Sequence, residues 1–190
     1  MNYLKMLSAA LGFLGYVFLI ATLLQNREKQ QSFASYLLWF ILEILLITAT
    51  YLEGGNYSLQ LGYATGGIVT VIILFIRKEY AWNWVTTLVT VLIVACVVIW
   101  KRSGNEAGII AMCIAIFIAT IPQAIDTSKY PEKTPINVWW IWTAGNFCSL
   151  IAGKDWSVEE RLFPVSALLG SLLILGIVYI KRIRNKTPAF

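Results

Sequence analysis

Seven nearly unbroken apolar runs follow one another along the chain, at about 6–24, 34–52, 59–76, 83–100, 107–125, 136–152 and 162–180. Each has the roughly 17–20 residues that a helix needs to cross a hydrocarbon layer of about 30 Å. The polar tracts between them are too short to hold a soluble domain. The first run lacks a small-residue cleavage site and is longer than a signal-peptide apolar region, so it is read as a helix. The pattern predicts an all-α polytopic membrane protein with seven transmembrane helices.

Composition agrees. Of 190 residues, 58% are hydrophobic and 13% charged, with a mean hydropathy of +0.71; soluble domains are roughly 45–50% apolar. Ten of the fifteen Lys and Arg residues fall on one side of this topology: Arg27, Lys29, Arg77, Lys78, Lys129, Lys133, Lys181, Arg182, Arg184 and Lys186. Lys5, Lys101, Arg102, Lys154 and Arg161 fall on the other. Positive charge stays cytoplasmic, which puts the C-terminus inside and the N-terminus outside. Short loops and a short tail point to a bacterial inner membrane. Trp82, Trp84 and Trp100 bracket the fourth run like an interfacial aromatic belt. The net charge of +5 sits at those helix ends, so nucleic acid is excluded as a partner. Cys96, Cys113 and Cys148 lie inside apolar runs and form neither a disulfide nor a metal pattern.

An internal repeat runs through the helices. ATLLQ (21–25) matches ATIPQ (119–123) at an offset of 98, aligning Gln25 with Gln123. YLLWFILE (36–43) lies over WWIWTAGN (139–146) at an offset of 103, so Trp39 meets Trp142 and Glu43 meets Asn146. Gly62 and Gly66 fall on Ser166 and Gly170 at an offset of 104, and FIRK (75–78) falls on YIKR (179–182). Three helices reverse the chain, so two like-oriented repeats need a linker between them. The β-branched fourth run, with no polar group beyond Thr near its centre, suits that role. The expected organisation is 3+1+3: a first triple-helix bundle over 1–80, a linker helix over 81–104, and a second bundle with a basic cytoplasmic tail over 105–190.

Seven helices in that order, with Pro122-Gln123 closing the first helix of a repeat, resemble the SWEET and PQ-loop transporter superfamily along nearly the whole chain. The resemblance implies a carrier whose two bundles rock about a central site, with small polar solute held near the midplane. It casts Pro122 and Gln123 as a cytoplasmic hinge, with Gln25 and Pro135 as the corresponding gate positions. A proline inside a helix removes one backbone hydrogen bond, and the Gln123 amide could satisfy the freed carbonyl or reach a neighbouring helix. This chain departs from the pattern at Leu24, which stands where the second repeat has Pro122, and bending is then confined to the second bundle.

An ionisable residue inside a span marks a functional site by default, and Glu43 is the clear case. Tyr36, Trp39, Glu43 and Thr50 share one helical face; Trp139, Trp142, Thr143, Asn146 and Ser149 form the matching stripe. Trp39 and Trp142 are expected to face each other and stack on a flat solute, with Glu43 and Asn146 orienting its polar groups. Tyr63 and Thr65, and Ser166 and Ser171, could add hydroxyls. Glu43 is also the candidate for proton coupling, ahead of Asp126 at a helix end. Gly62-x-x-x-Gly66 reads as helix packing.

The expected partners are a small-molecule solute, sugar-like or otherwise neutral or weakly cationic, and the lipid bilayer; a homo-oligomer stays open. No cofactor or metal is implied. Without a single histidine, and with no serine or paired-carboxylate motif, an enzyme is not expected. A retinal receptor would need a lysine in the last run, and 162–180 has none. A receptor or scaffold of the same fold, and a vitamin carrier of nicotinamide riboside type, remain alternatives.

Overall fold

The computed structural model describes residues 2–25, 33–77 and 84–186. Arg27, Lys29, Ser32, Lys78 and Trp82 lie outside the described residues, as do the side chains of Arg184 and Lys186. The described chain is all-α, with six helices: α1 Asn2–Gln25, α2 Phe33–Leu52, α3 Ser58–Ile76, α4 Trp84–Lys129, α5 Ile136–Ala152 and α6 Val158–Lys186. Among the described residues five of them, all but the 17-residue α5, are long and apolar enough to cross a membrane.

The helices follow the apolar runs to within a few residues, with one difference. The fourth and fifth runs share one 46-residue helical element broken at Gly104, where φ is 87° and ψ 178°. A positive φ is readily open only to glycine. The break is sharp: a Cβ on Gly108 would lie 2.9 Å from Trp100 Cβ. Eight residues along an unbroken helix would separate those positions by about 12 Å, so the chain doubles back. Trp100 Nε1 donates to Asn105 Oδ1 at 2.6 Å across the turn. The tract KRSGNE reads in sequence as an ordinary loop, so the tightness of the turn was not legible there.

Polarity is distributed as a lipid solvent requires. Phe13, Phe18, Ile72, Val91, Val94, Phe117 and Phe147 are exposed, while Glu43, Gln60, Thr70, Gln123, Asn146 and Ser171 are buried. Helix α1 packs between α3 and α5; α2 packs on α3 and α4, and α6 on α4 and α5.

Small residues make the α1 contacts close. Gly62 of α3 sits against the Ala9 carbonyl, Gly66 against the Tyr16 ring, and Gly15 of α1 against the Trp142 indole. Gly62-x-x-x-Gly66 thus serves packing, as its spacing predicts.

The helix ends are capped. At the end of α2, Gly54 adopts φ 71°, with Gly54 N–H bonded to Tyr51 O and Gly55 N–H to Thr50 O. That is the Schellman pattern of carbonyl satisfaction. Arg161 wraps the end of α5, donating to Leu150 O, Gly153 O (2.9 Å) and Asp155 O (2.6 Å). Beside it, buried Glu160 pairs with Lys5 Nζ at 3.8 Å and Lys154 Nζ at 3.7 Å and accepts from Lys154 N–H at 3.1 Å.

Gly62→Ala should drive α1 and α3 apart, because the backbone carbonyl of Ala9 cannot rotate away. A loss of about 1–3 kcal/mol is expected, as for other overpacked cores, read as a lower thermal midpoint in detergent. Gly176→Ala, where a Cβ meets nothing within 4 Å, should leave the midpoint unchanged.

Candidate functional site

One cavity brings the two aligned stripes together. Tyr16 of α1, Trp39 and Glu43 of α2, and Tyr63 of α3 line one side. Ile116 and Thr120 of α4, Trp139, Trp142 and Asn146 of α5, and Phe163, Ser166, Ala167, Gly170 and Ser171 of α6 complete it. Glu43 is the eleventh of the twenty α2 residues and Asn146 the eleventh of the seventeen in α5, so the polar groups converge well inside the layer. The enclosed space is about 60 Å³. At about 10–15 Å³ for one water, it holds a few waters and no sugar without opening.

All six residues predicted to bind solute line this cavity: Trp39, Glu43, Tyr63, Trp139, Trp142 and Asn146. Ser166 and Ser171 do too, but Thr65 does not. It is exposed and bonds back to Leu61 O and Gly62 O at 2.8 and 3.0 Å. Of the two stripes, Tyr36, Thr50, Thr143 and Ser149 are buried away from the cavity.

The expected pair of facing indole platforms is replaced by a knot of rings. Trp142 donates its Nε1–H to Gly12 O at 3.2 Å. Its ring lies 5.0 Å from Tyr16, 5.1 Å from Trp139 and 6.0 Å from Tyr63. Two of these contacts are edge-on, the arrangement aromatic quadrupoles favour. Trp39 packs edge-on to Tyr36 at 5.2 Å, and its buried Nε1–H has no partner.

Asn146 is fixed from two sides. The Tyr63 hydroxyl donates to its Oδ1 at 2.7 Å, and its Nδ2 donates to Ser171 Oγ at 3.4 Å. The remaining hydroxyls bond back into their own helices: Thr120 to Ile116 O (3.1 Å), Ser166 to Leu162 O (2.6 Å) and Ser171 to Leu168 O (2.9 Å). Glu43 is 4% exposed, and its Oε2 is buried without a hydrogen-bond partner. Among the described residues no group of three or more His, Cys, Asp or Glu could hold a metal ion.

The four gate residues lie apart from the cavity. Pro122 is inside α4, which continues for seven residues beyond it to Lys129, so the proline does not end the helix. Gln123 is buried and donates to Thr127 Oγ1 of its own helix at 3.4 Å, which itself accepts from Thr134 at 3.2 Å. It reaches no neighbouring helix in this arrangement, and its Oε1 is unpartnered. Gln25 is exposed at the end of α1, and Pro135 is the N-cap of α5.

Sequence reasoning missed Tyr16, Phe163 and Thr120. A tyrosine in the middle of an apolar run was the available signal for the first, and the Thr22–Thr120 match for the last. Phe163 carries none, since one more apolar aromatic looks like any packing residue. The chain matches no protein-family model, no curated protein and no solved structure, so the functional reading rests on this geometry.

Tyr63→Phe and Asn146→Ala each strand a buried polar partner. The double variant should therefore lose less stability than the two singles together. A coupling of about 0.6 kcal/mol, up to ~1.7, is expected for an intramembrane hydrogen bond, measured as a double-mutant cycle on unfolding in detergent.

Proposed function

We propose that the protein is a membrane carrier that moves a small polar solute through this cavity by alternating access, with Glu43 carrying the coupled proton. The observation that carries the proposal is the cavity itself. It is enclosed by both halves of the chain and holds a buried carboxyl with an unpartnered oxygen, an expensive feature that membrane proteins keep for transport paths.

The packing scheme supports a 3+1+3 layout of seven crossings. With α4 doubling back at Gly104, its two arms (84–103 and 105–129) count as separate spans. The repeat then takes α1, α2 and α3 onto the second arm, α5 and α6. Under that exchange α1 on α5 becomes the second arm on α2, α1 on α3 becomes the second arm on α6, and α2 on α3 becomes α5 on α6. Each of these element pairs is packed. Trp39 and Trp142, and Glu43 and Asn146, are repeat mates in one cavity. The layout is that of the SWEET and PQ-loop carriers, and the Lys and Arg bias puts the N-terminus outside in a bacterial inner membrane.

A closed outer gate fits the same scheme. Glu160, at the start of α6, pairs with Lys5 of α1, so the ion pair joins the two bundles. Next to it, a Cβ on Gly55 in the α2–α3 loop would meet Glu159 O at 2.6 Å. Opening toward the outside must break these contacts. Within the second bundle, Arg182 donates to Pro131 O at 3.1 Å at the opposite end, a tie that rocking leaves intact.

Two measurements on liposomes test the proposal. Uptake by the wild type should vary with pH and uptake by Glu43→Gln should not; a shared pH profile would remove Glu43 from coupling. Joining Lys5→Cys to Glu160→Cys with a short thiol-specific cross-linker should abolish uptake, and reductant should restore it.

A further inference from the structure

The cavity wall has a chemical bias that its polar residues conceal. Six of its fourteen lining residues are aromatic: Tyr16, Trp39, Tyr63, Trp139, Trp142 and Phe163. No lysine or arginine is among the fourteen, and Glu43 is the single acid. The hydrogen-bond donors are largely engaged already. The Tyr63 hydroxyl goes to Asn146, the Trp142 N–H to Gly12 O, and the hydroxyls of Thr120, Ser166 and Ser171 to backbone carbonyls. What remains free toward a guest is π surface, the Glu43 carboxyl and the Trp39 N–H.

A polyol suits such a wall poorly. Each of its hydroxyls needs both a donor and an acceptor, and leaving one unmet on entry to a dry cavity carries the full desolvation penalty. An anion would meet the negative faces of the rings and a carboxyl, with no base to balance it. A methylated ammonium ion makes neither demand. It has no N–H to satisfy, its charge is spread over methyl groups, and aromatic faces attract it most strongly where water is absent. The buried Glu43 oxygen without a partner supplies the counter-charge.

We propose that the cavity binds a small methylated ammonium ion, seated against the aromatic wall and paired with the Glu43 carboxylate. This deepens the carrier reading and rests on it for the ion's passage across the membrane. The ion replaces the few waters the space holds, and the wall must relax outward to admit any larger substituent on the nitrogen.

The test uses the full-length protein in detergent, with choline as the probe and 3,3-dimethyl-1-butanol as its uncharged carbon isostere. Choline should raise the thermal midpoint and quench tryptophan fluorescence, with the isostere at least tenfold weaker at equal ionic strength. Glu43→Gln should weaken choline at least tenfold while Glu43→Asp keeps part of the affinity. Trp39→Leu, at a half-buried position whose indole N–H bonds nothing, guards against a Glu43 variant that does not fold and should weaken choline at least fivefold. Equal binding of the isostere, unchanged choline binding in these variants, or no response to choline would overturn the assignment. Liposomes separate it from the carrier reading. Choline binding without choline uptake would remove the carrier and leave the site; uptake of a neutral solute without choline binding would do the reverse.

Discussion

The structure depends on how little side chain α1 carries where it meets its neighbours. Ser8, Ala9, Gly12 and Gly15 leave its backbone bare toward α3 and α5. Gly62 can therefore reach the Ala9 carbonyl, and Trp142 can lie flat enough to bond Gly12 O. In hydrocarbon no water-driven burial holds helices together, so close backbone approach and dispersion take over. That contact sets where the α5 indoles stand, and the indoles in turn wall the cavity. A bulkier α1 would push both the Trp142–Trp139 pair and Tyr63 away from Asn146.

Much of the fold was legible in the sequence because lipid imposes a length as well as a polarity. The helices begin and end close to the apolar runs for that reason. The turn at Gly104 was not legible as a fold-back. Its meaning comes from the Trp100–Gly108 contact, which involves residues that each look unremarkable for a span. The site was legible to the extent that the two halves repeat. Aligning Glu43 with Asn146 picked out residues that the fold brings to one space, although they stand 103 apart in the chain.

What the sequence withheld is the state of each polar group. Ser166, Ser171 and Thr120 look like offered hydroxyls, yet their hydrogens point back to carbonyls one turn earlier. This is the usual fate of Ser and Thr in a helix interior. Trp142 looks like a stacking platform and is bolted to α1. Pro122 looks like a helix end and lies within one. These outcomes depend on rotamers and on neighbours from other helices, which no local spacing encodes.

The fold-back at Gly104 also bears on how the chain enters the membrane. Trp100 and Gly108 touch, so only a few residues separate the two arms, with Lys101 and Arg102 at the tip. If both arms span, they form a hairpin too tight for one to insert and wait while the other is made. Drawing either charge through the hydrocarbon centre costs about 2.5–3.5 kcal/mol on an insertion scale. Two long apolar arms entering together offset that toll in a single event. The tip then acts as a ratchet: once Lys101 and Arg102 reach the far surface, the same charges oppose the hairpin's return, and a one-residue turn secures the topology of everything that follows it.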